Sequence, residues 1–265
     1  MSSNLVYGAN DMMKRWCIAL LLVTTVSLQA STTTYDPTDQ YVVHNVRGWT
    51  VRVNQRLINH DPKLTEQTLE LLDHQLYKME RRLPAQAIEK LRSVPIWVEL
   101  EDKRHPCMCY HPSREWLSAN GYNPEKAGSV EVANAATFLK WTLNQPYMVM
   151  HEFAHAYHHL VLPGGNDNEY VRRTYEAAKA SGRYENVISI TGREARHYAM
   201  TNQMEYFAEL TESYFATNDF YPFVRPELKQ FDPEGYAMIE RLWNDPMAGV
   251  ETAKSSDTGA PNAKD

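Results

Sequence analysis

Two histidines and a glutamate lie within one short segment, His151-Glu152-Phe153-Ala154-His155. On a helix of 3.6 residues per turn, His151 and His155 fall about 40° apart on one face, so two imidazoles can bind one zinc ion. Glu152 is displaced from that face and can act on a water molecule beside the metal. The segment therefore predicts a zinc-dependent hydrolase, with His151 and His155 as metal ligands and Glu152 as general base.

The residues around this motif predict a buried helix. Pro146 suits the first turn of a helix, and most of the following positions are apolar. These positions are Tyr147, Met148, Val149, Met150, Phe153, Ala154 and Ala156. Burying three ionisable side chains there is costly unless they are paired, and a divalent cation is a suitable partner for two neutral imidazoles. We expect His158 and His159 to lie at the surface or behind the ligands, not to bind the metal.

A catalytic zinc site usually has three protein ligands and one open position, so a third ligand is required. The metzincin pattern needs Gly at position 158 and His at position 161. The chain has His158 and Val161 there, which excludes that class. The other common ligand is a glutamate from a second helix. The segment 198–209 contains Glu205 and Glu209, which share one helical face.

Together the two segments resemble the gluzincin zinc metallopeptidases, and among them the catalytic domain of anthrax lethal factor and the Pro-Pro endopeptidase family. Those proteins combine HEFxH with a later tyrosine, a TN pair and an E-[FY]-FAE helix. This chain has Tyr198, Thr201-Asn202 and Glu205-Tyr206-Phe207-Ala208-Glu209 in the same spacing, and the resemblance covers residues 128–217. It implies peptide-bond hydrolysis with one Zn²⁺ per chain. It also implies that Glu205 is the third ligand, that Glu209 orients a ligating histidine, and that Tyr198 stabilises the oxyanion.

These residues also have structural interpretations. Glu205 lies three residues after Asn202 and can close a capping box. Glu209 and Glu212 can form a solvated acidic face, and Tyr198 can pack against the apolar helix. Two other functions also stay open: a zinc-binding module that hydrolyses nothing, and a metal hydrolase that acts on a bond other than a peptide bond.

A short strand is predicted just before the active-site helix. Gly128, Ser129, Val130, Glu131 and Val132 alternate small or polar residues with β-branched ones. As an edge strand, this segment could bind an extended peptide substrate by strand addition. An ordinary strand within the sheet is the alternative.

The order of elements predicts an α+β fold of the zincin-like metallopeptidase type. Its N-terminal lobe would contain a mixed sheet and the active-site helix, and its C-terminal lobe would be mainly helical. The predicted strands are 49–57, 95–100 and 128–133, and the predicted helices are 64–83, 169–180 and one that starts near residue 233. We assign residues 46–245 to this domain, 31–45 to an N-terminal extension and 246–265 to a disordered polar tail.

The first 30 residues resemble a secretory signal. Lys14-Arg15 precede an uncharged run from Trp16 to Leu28, and small residues end at Ala30. The run of 13 residues is too short to span a bilayer comfortably. We therefore expect a secreted, extracellular or periplasmic protein without a stable membrane span. An uncleaved signal anchor is the alternative, and Met12 or Met13 is an alternative start.

The net charge of the chain argues against a partner with a phosphate backbone. Cleavage after residue 30 removes one acid and two bases, so the net charge falls from −6 to −7. The absence of a basic patch argues against nucleic-acid binding.

Cys107 and Cys109 remain after cleavage, within His105-Pro106-Cys107-Met108-Cys109-Tyr110-His111. A disulfide across one residue would be strained. Two alternatives to a disulfide remain for this segment. It can form a second metal site that uses His105 or His111, or it can be a loop near the cleft.

Overall fold

The computed structural model describes residues 34–248, and a five-stranded mixed sheet organises the first half of this α+β fold. The strands are β1 (Tyr41–Val46), β2 (Trp49–Asn54), β3 (Ile96–Val98), β4 (Met108–His111) and β5 (Ser129–Val132). Their spatial order is β1-β2-β3-β5-β4. β2, β3 and β5 run parallel, whereas β1 and β4 are antiparallel to their neighbours.

A two-residue turn joins β1 to β2. Arg47 and Gly48 both have positive φ, 52° and 90°, and Val46 pairs with Trp49 across the turn. This left-handed geometry matches the twist of a hairpin, and Gly48 adopts it without a Cβ clash. The segment 31–45, which the sequence analysis assigns to an extension, thus contributes most of β1 to the sheet.

One face of the sheet is covered by helices. The helices of this half are α1 (Gln55–His60), α2 (Pro62–Arg82), α3 (Ala85–Leu91), α4 (Arg114–Ala119), α5 (Ala135–Trp141) and α6 (Met148–Val161). Alternate strand residues share one core with apolar side chains of α2 and α6. This core includes Val51, Val53, Leu72, Leu76, Ile96, Val98, Val130, Val132, Val149 and Phe153. It holds α6, the helix that carries HExxH, against the sheet.

A buried charged cluster lies on the other face. The Lys126 ammonium is 2.7 Å from Glu99 Oε1 and also contacts Oε1 of Glu131. Asn54 Nδ2 donates to Glu99 Oε2 at 2.7 Å, and the Tyr41 hydroxyl donates to the same carboxylate. All five side chains belong to buried residues. Mutual pairing is what makes their burial tolerable, since an unpaired charge there would be strongly destabilising.

The second half is mainly helical. It contains α7 (Glu169–Ser181), β6 (Val187–Ile188), β7 (Glu194–Ala195), α8 (Gln203–Phe215), α9 (Arg225–Phe231) and α10 (Pro233–Asn244). Tyr157 of α6 stacks on Trp243 of α10 with ring centroids 4.0 Å apart. The hydroxyls of Tyr184 and Tyr206 both donate to Asp232 Oδ2, at 2.8 and 2.6 Å. Through Asp232, these two hydrogen bonds connect Tyr206 of α8 with the segment that precedes α8 and with the start of α10.

Several predicted elements are confirmed. Helices α2, α7 and α10 and strands β3 and β5 lie at the predicted positions. The strand predicted over 49–57 ends earlier, at Asn54. The Asn54 side chain accepts a hydrogen bond from the Arg56 amide and so starts α1, which contains Leu57.

The strand predicted at 128–133 lies inside the sheet and not at its edge, so the alternative of an ordinary strand is confirmed. Ser129, Val130, Glu131 and Val132 form β5 and Gly128 precedes it, but β5 pairs with β3 on one side and β4 on the other. Its backbone is therefore not free for strand addition. The edge strand beside β5 is β4, a segment for which the sequence predicts a loop or a metal site.

Two predicted segments lie wholly or mostly outside the described residues: the signal at 1–30, and the tail at 246–265 apart from its first three residues. Among residues 34–248, no helix combines the length and apolar character needed to cross a bilayer.

Replacing Lys126 tests the buried cluster. We expect Lys126→Met to lower the free energy of unfolding by about 3–5 kcal/mol, because Glu99 and Glu131 lose the cation that they share. Lys140→Met, at an exposed position on α5, is the matched control and should change it by less than about 0.5 kcal/mol. Urea unfolding followed by circular dichroism compares the two, and equal stabilities would contradict the role given to Lys126.

Candidate metal centre

Helix α6 brings His151 and His155 together. Tyr147 precedes the helix, and the spacing of four residues puts both imidazoles on one face. Their Nε2 atoms are 3.1 Å apart, and their ring centroids are 4.7 Å apart. Both rings are mostly shielded from solvent and both line a cleft, so the pair offers two neighbouring nitrogen ligands to a metal ion.

Helix α8 supplies the third donor. Asn202 caps this helix, and its Oδ1 accepts hydrogen bonds from the amides of Met204 and Glu205, each at 2.9 Å. Glu205 thus lies in the first turn. Its Oε2 is 3.0 Å from His151 Nε2 and 3.2 Å from His155 Nε2.

These three atoms fit a zinc ion. They form a nearly equilateral triangle with sides of 3.0, 3.1 and 3.2 Å. Tetrahedral zinc with ligand bonds of about 2.0–2.1 Å would separate its donors by about 3.3 Å. Two imidazole nitrogens and a carboxylate oxygen are also ordinary zinc ligands. Geometry and donor type therefore both suit zinc. The coordination position that faces the cleft would have no protein ligand.

Two further carboxylates lie behind His151. Its Nδ1 is 2.9 Å from Glu212 Oε1 and 3.4 Å from Glu209 Oε1. An ionised Glu212 accepts a hydrogen bond from His151 Nδ1–H, which leaves the Nε2 lone pair facing the other donors. Glu209 Oε2 also accepts a hydrogen bond from Asn218 Nδ2 at 2.8 Å. Glu212 is therefore the closer partner, although the family resemblance assigned the orienting role to Glu209.

The solvated acidic face expected as an alternative is wrong. Glu209 and Glu212 are 3 % and 4 % exposed, because α8 is surrounded by other elements and places both in the interior. Glu212 follows Glu205 by seven positions and Glu209 by three. That spacing puts all three on one helical face, so the sequence did contain a signal for Glu212.

The charges at the centre favour a cation. Burial raises the pKa of Glu209 and of Glu212. Burial lowers the pKa of His151, but hydrogen bonds to Glu205 and Glu212 outweigh it and hold that pKa well above its usual range. For Glu205, burial favours the neutral acid, but hydrogen bonds from His151 and His155 keep its pKa well below the usual range. Carboxylates outnumber imidazoles here, and a divalent cation would balance them.

A cleft of about 680 Å³ opens onto the three donors, and Glu152 and Tyr198 both line it. The Tyr198 ring centroid is 6.4 Å from that of His151, and the residue is 49 % exposed. Burial and the nearby Glu205 carboxylate raise the pKa of Tyr198, so the phenol keeps its proton as a donor. The predicted ligands, base and tyrosine thus all meet in one cleft.

The cleft wall contains residues that no motif identified. They are Trp141, Gln145, Asp219 and Phe220. Residues 105–110, on and before β4, also line the cleft, which confirms the position near the cleft that was an alternative for this segment. Glu131, predicted to bind substrate, instead contacts Lys126 and His111 within the sheet. The predicted strand residues 128–132 do not line the cleft.

The two histidines after the motif have different surroundings. His158 is fully buried, its ring packs 5.0 Å from that of Phe207, and its ring nitrogens have no hydrogen-bond partner among the described residues. A surface position for His158 is therefore wrong. His159 Nδ1 is 2.8 Å from the Tyr110 hydroxyl, which links α6 to β4.

Comparison with family models, curated proteins and solved structures gives no significant match to this chain. The case for a function rests on the centre itself. Three donors face one point, and a carboxylate and a phenol share the open side with them, which is an arrangement suited to metal-assisted hydrolysis.

Substitution can separate the contributions of Glu209 and Glu212, the two carboxylates beside His151 Nδ1, to zinc binding. We expect Glu212→Gln to weaken zinc binding about 10-fold or more, and Glu209→Gln to weaken it less, because Glu212 is the closer partner of Nδ1. Glu176→Gln, at an exposed position on α7, is the control and should leave zinc affinity unchanged. Competition with a chromogenic chelator measures all three. A larger loss for Glu209→Gln would return the orienting role to Glu209.

Proposed function

We propose that this protein is a zinc-dependent endopeptidase of the gluzincin type with a zincin-like fold. The observation that carries the proposal is the triangle of His151 Nε2, His155 Nε2 and Glu205 Oε2, with Glu152 and Tyr198 on its open side. One metal with two histidines, a glutamate from a second helix and a neighbouring carboxylate is a combination used for peptide hydrolysis.

Zinc at this centre would supply Lewis-acid chemistry, lowering the pKa of water toward neutrality and polarising the scissile carbonyl. Glu152 accepts the proton of the attacking water and then donates it to the leaving amine. The Tyr198 hydroxyl, which retains its proton, donates a hydrogen bond to the carbonyl oxygen as negative charge develops on it.

The substrate backbone has a suitable partner in β4. This strand is at the end of the sheet, and its residues Met108, Cys109 and Tyr110 line the cleft. Its inner side pairs with β5, and no described strand pairs with its outer side. An extended peptide can add to that outer side by backbone hydrogen bonds. A cleft bordered by an edge strand supports cleavage within a chain.

The compartment is part of the proposal. The basic pair Lys14-Arg15 and the short uncharged run after it support export, and thus peptide or protein substrates outside the cytoplasm.

The first test compares zinc content with cleavage of a mixed peptide library. We expect the wild type to hold one zinc at this centre and to cut. Glu152→Gln should keep that zinc and lower kcat about 10²–10⁴-fold, because the general base is lost. Glu205→Ala should bind zinc poorly.

Other outcomes would overturn the proposal in different ways. If the wild type holds zinc at the centre but cleaves no peptide, the protein is a binding module. If it hydrolyses only esters or other amides, the substrate class is wrong. If Glu205→Ala keeps full zinc affinity at the centre, the third ligand is wrong.

Removing the Tyr198 hydroxyl tests oxyanion stabilisation. We expect Tyr198→Phe to lower kcat about 10²–10³-fold with little change in KM or zinc content, because the hydrogen bond is strongest in the transition state. Tyr170→Phe, on α7 and outside the cleft lining, is the control. A higher KM at unchanged kcat would assign Tyr198 to substrate binding instead.

A further inference from the structure

A second group of metal-binding side chains lies on and before the edge strand. Cys109 and His111 alternate with Met108 and Tyr110 along β4, and Met108 and Tyr110 pack on the apolar core. In the register of β4 with β5, Cys109 is directly opposite Glu131. Cys109, His111 and Glu131 therefore share the face of the sheet that points away from that core.

His105 reaches the same group from the loop that precedes β4. One ligand atom each of His105, Cys109 and His111 lies within 4.8 Å of the other two. Cys109 Sγ is 3.5 Å from His111 Nε2. A tetrahedral metal with bonds of about 2.3 Å to sulfur and 2.0–2.1 Å to nitrogen separates those donors by about 3.5 Å. The cysteine and one histidine are thus already spaced as ligands.

Glu131 offers a fourth donor. Its Oε2 is 2.5 Å from His111 Nε2 and 4.0 Å from Cys109 Sγ, while Oε1 is held by Lys126. The lysine fixes the carboxylate so that one oxygen faces the histidine and the thiol. Glu131 is fully buried and His111 is 3 % exposed, so these donors are largely shielded from water.

The hydrogen bonds of this group are incomplete. His105 Nε2 is shielded from solvent and has no hydrogen-bond partner among the described residues. The rings of His105, His111 and Tyr122 pack against one another, with centroids 5.7, 5.2 and 6.1 Å apart. A buried ring nitrogen without a partner costs about 1–3 kcal/mol. A metal ion at this position would satisfy it.

We propose that His105, Cys109 and His111, with Glu131 as fourth donor, form a second zinc site distinct from the hydrolytic centre. Binding there replaces the hydrogen bond between His111 and Glu131 with metal–ligand bonds. The Cys109 thiol releases its proton to solvent, and each neutral imidazole keeps its one proton on the ring nitrogen that does not bind the metal. Four protein donors leave no open position, which is typical of a structural site. The ion would link β4 and the loop before it to β5. This part of the fold forms one wall of the cleft.

Cobalt substitution can distinguish this site from the hydrolytic centre. A thiolate bound to Co²⁺ gives a charge-transfer band in the near ultraviolet, and His151, His155 and Glu205 provide no sulfur. We expect wild-type protein, reduced with a phosphine and loaded with Co²⁺, to bind two equivalents and show this band. Cys109→Ser should bind one equivalent and lose the band.

Cys107→Ser is the matched control. Cys107 is two residues away, but its Sγ contacts Met148 Sδ at 3.6 Å and it is not part of the group. It should keep both equivalents and the band. Glu205→Ala should lose hydrolytic-centre cobalt and keep the band, so the second site is tested whether or not the proposed peptidase function holds. His105→Ala should weaken cobalt binding at the second site at least about 10-fold, on the scale known for residues that support a metal.

Two results would overturn the proposal. One is a single cobalt per wild-type chain with no charge-transfer band, which leaves the group as a hydrogen-bonded network around Glu131. The other is a band that survives Cys109→Ser and disappears in Cys107→Ser, which makes Cys107 the ligand. Circular dichroism of each variant establishes that the fold is retained.

Discussion

The contact of α6 with α8 is the interaction on which the candidate metal centre depends. Helix α6 supplies two imidazoles and α8 supplies one carboxylate, so neither helix forms the triangle of donors by itself. The same contact places Glu209 and Glu212 in the interior beside His151. Buried carboxylates are destabilising without a partner, so the packing of these helices and the binding of a cation are energetically linked.

Strand β5 connects the two faces of the sheet. Val130 and Val132 pack in the apolar core that positions α6, whereas Glu131 points to the other face, where it contacts Lys126 and His111. A change in the register of this strand would exchange those faces and expose the core to charge. The candidate metal centre and the cluster on the opposite face therefore share one structural support.

The motif His151-Glu152-Phe153-Ala154-His155 and the capped glutamate helix could be predicted because the arrangement of their side chains depends on local spacing along a helix. The structure places Glu152, Tyr198 and Glu205 in the cleft with the two histidines. The same reasoning could not find the edge strand. Residues 108–111 form a strand because β5 offers them a backbone partner, and strand pairing between distant segments is not encoded in local periodicity.

Burial was the other property that local patterns did not determine. Glu209 and Glu212 were compatible with either a solvated face or an interior position, and only the neighbours of α8 decide between them. His158 was equally ambiguous: it lies on the helix that carries the motif, and its ring packs against Phe207 of α8. On this helix the apolar Leu160 is 52 % exposed and the polar His158 is fully buried, so side-chain polarity does not identify the side that faces solvent.

The cap of α8 has a consequence for how the chain can vary. Asn202 accepts hydrogen bonds from the Met204 and Glu205 amides and so defines where the helix starts. A start shifted by one residue would turn Glu205 about 100° away from the histidines. The number of residues between α6 and Asn202 does not enter this geometry. Ser189 and Ile190 pair with Phe220 and Asp219, but residues 191–193 at the tip of the β6–β7 hairpin are exposed. Insertions or deletions at this tip can therefore change the length of the hairpin while the position of the glutamate stays unchanged.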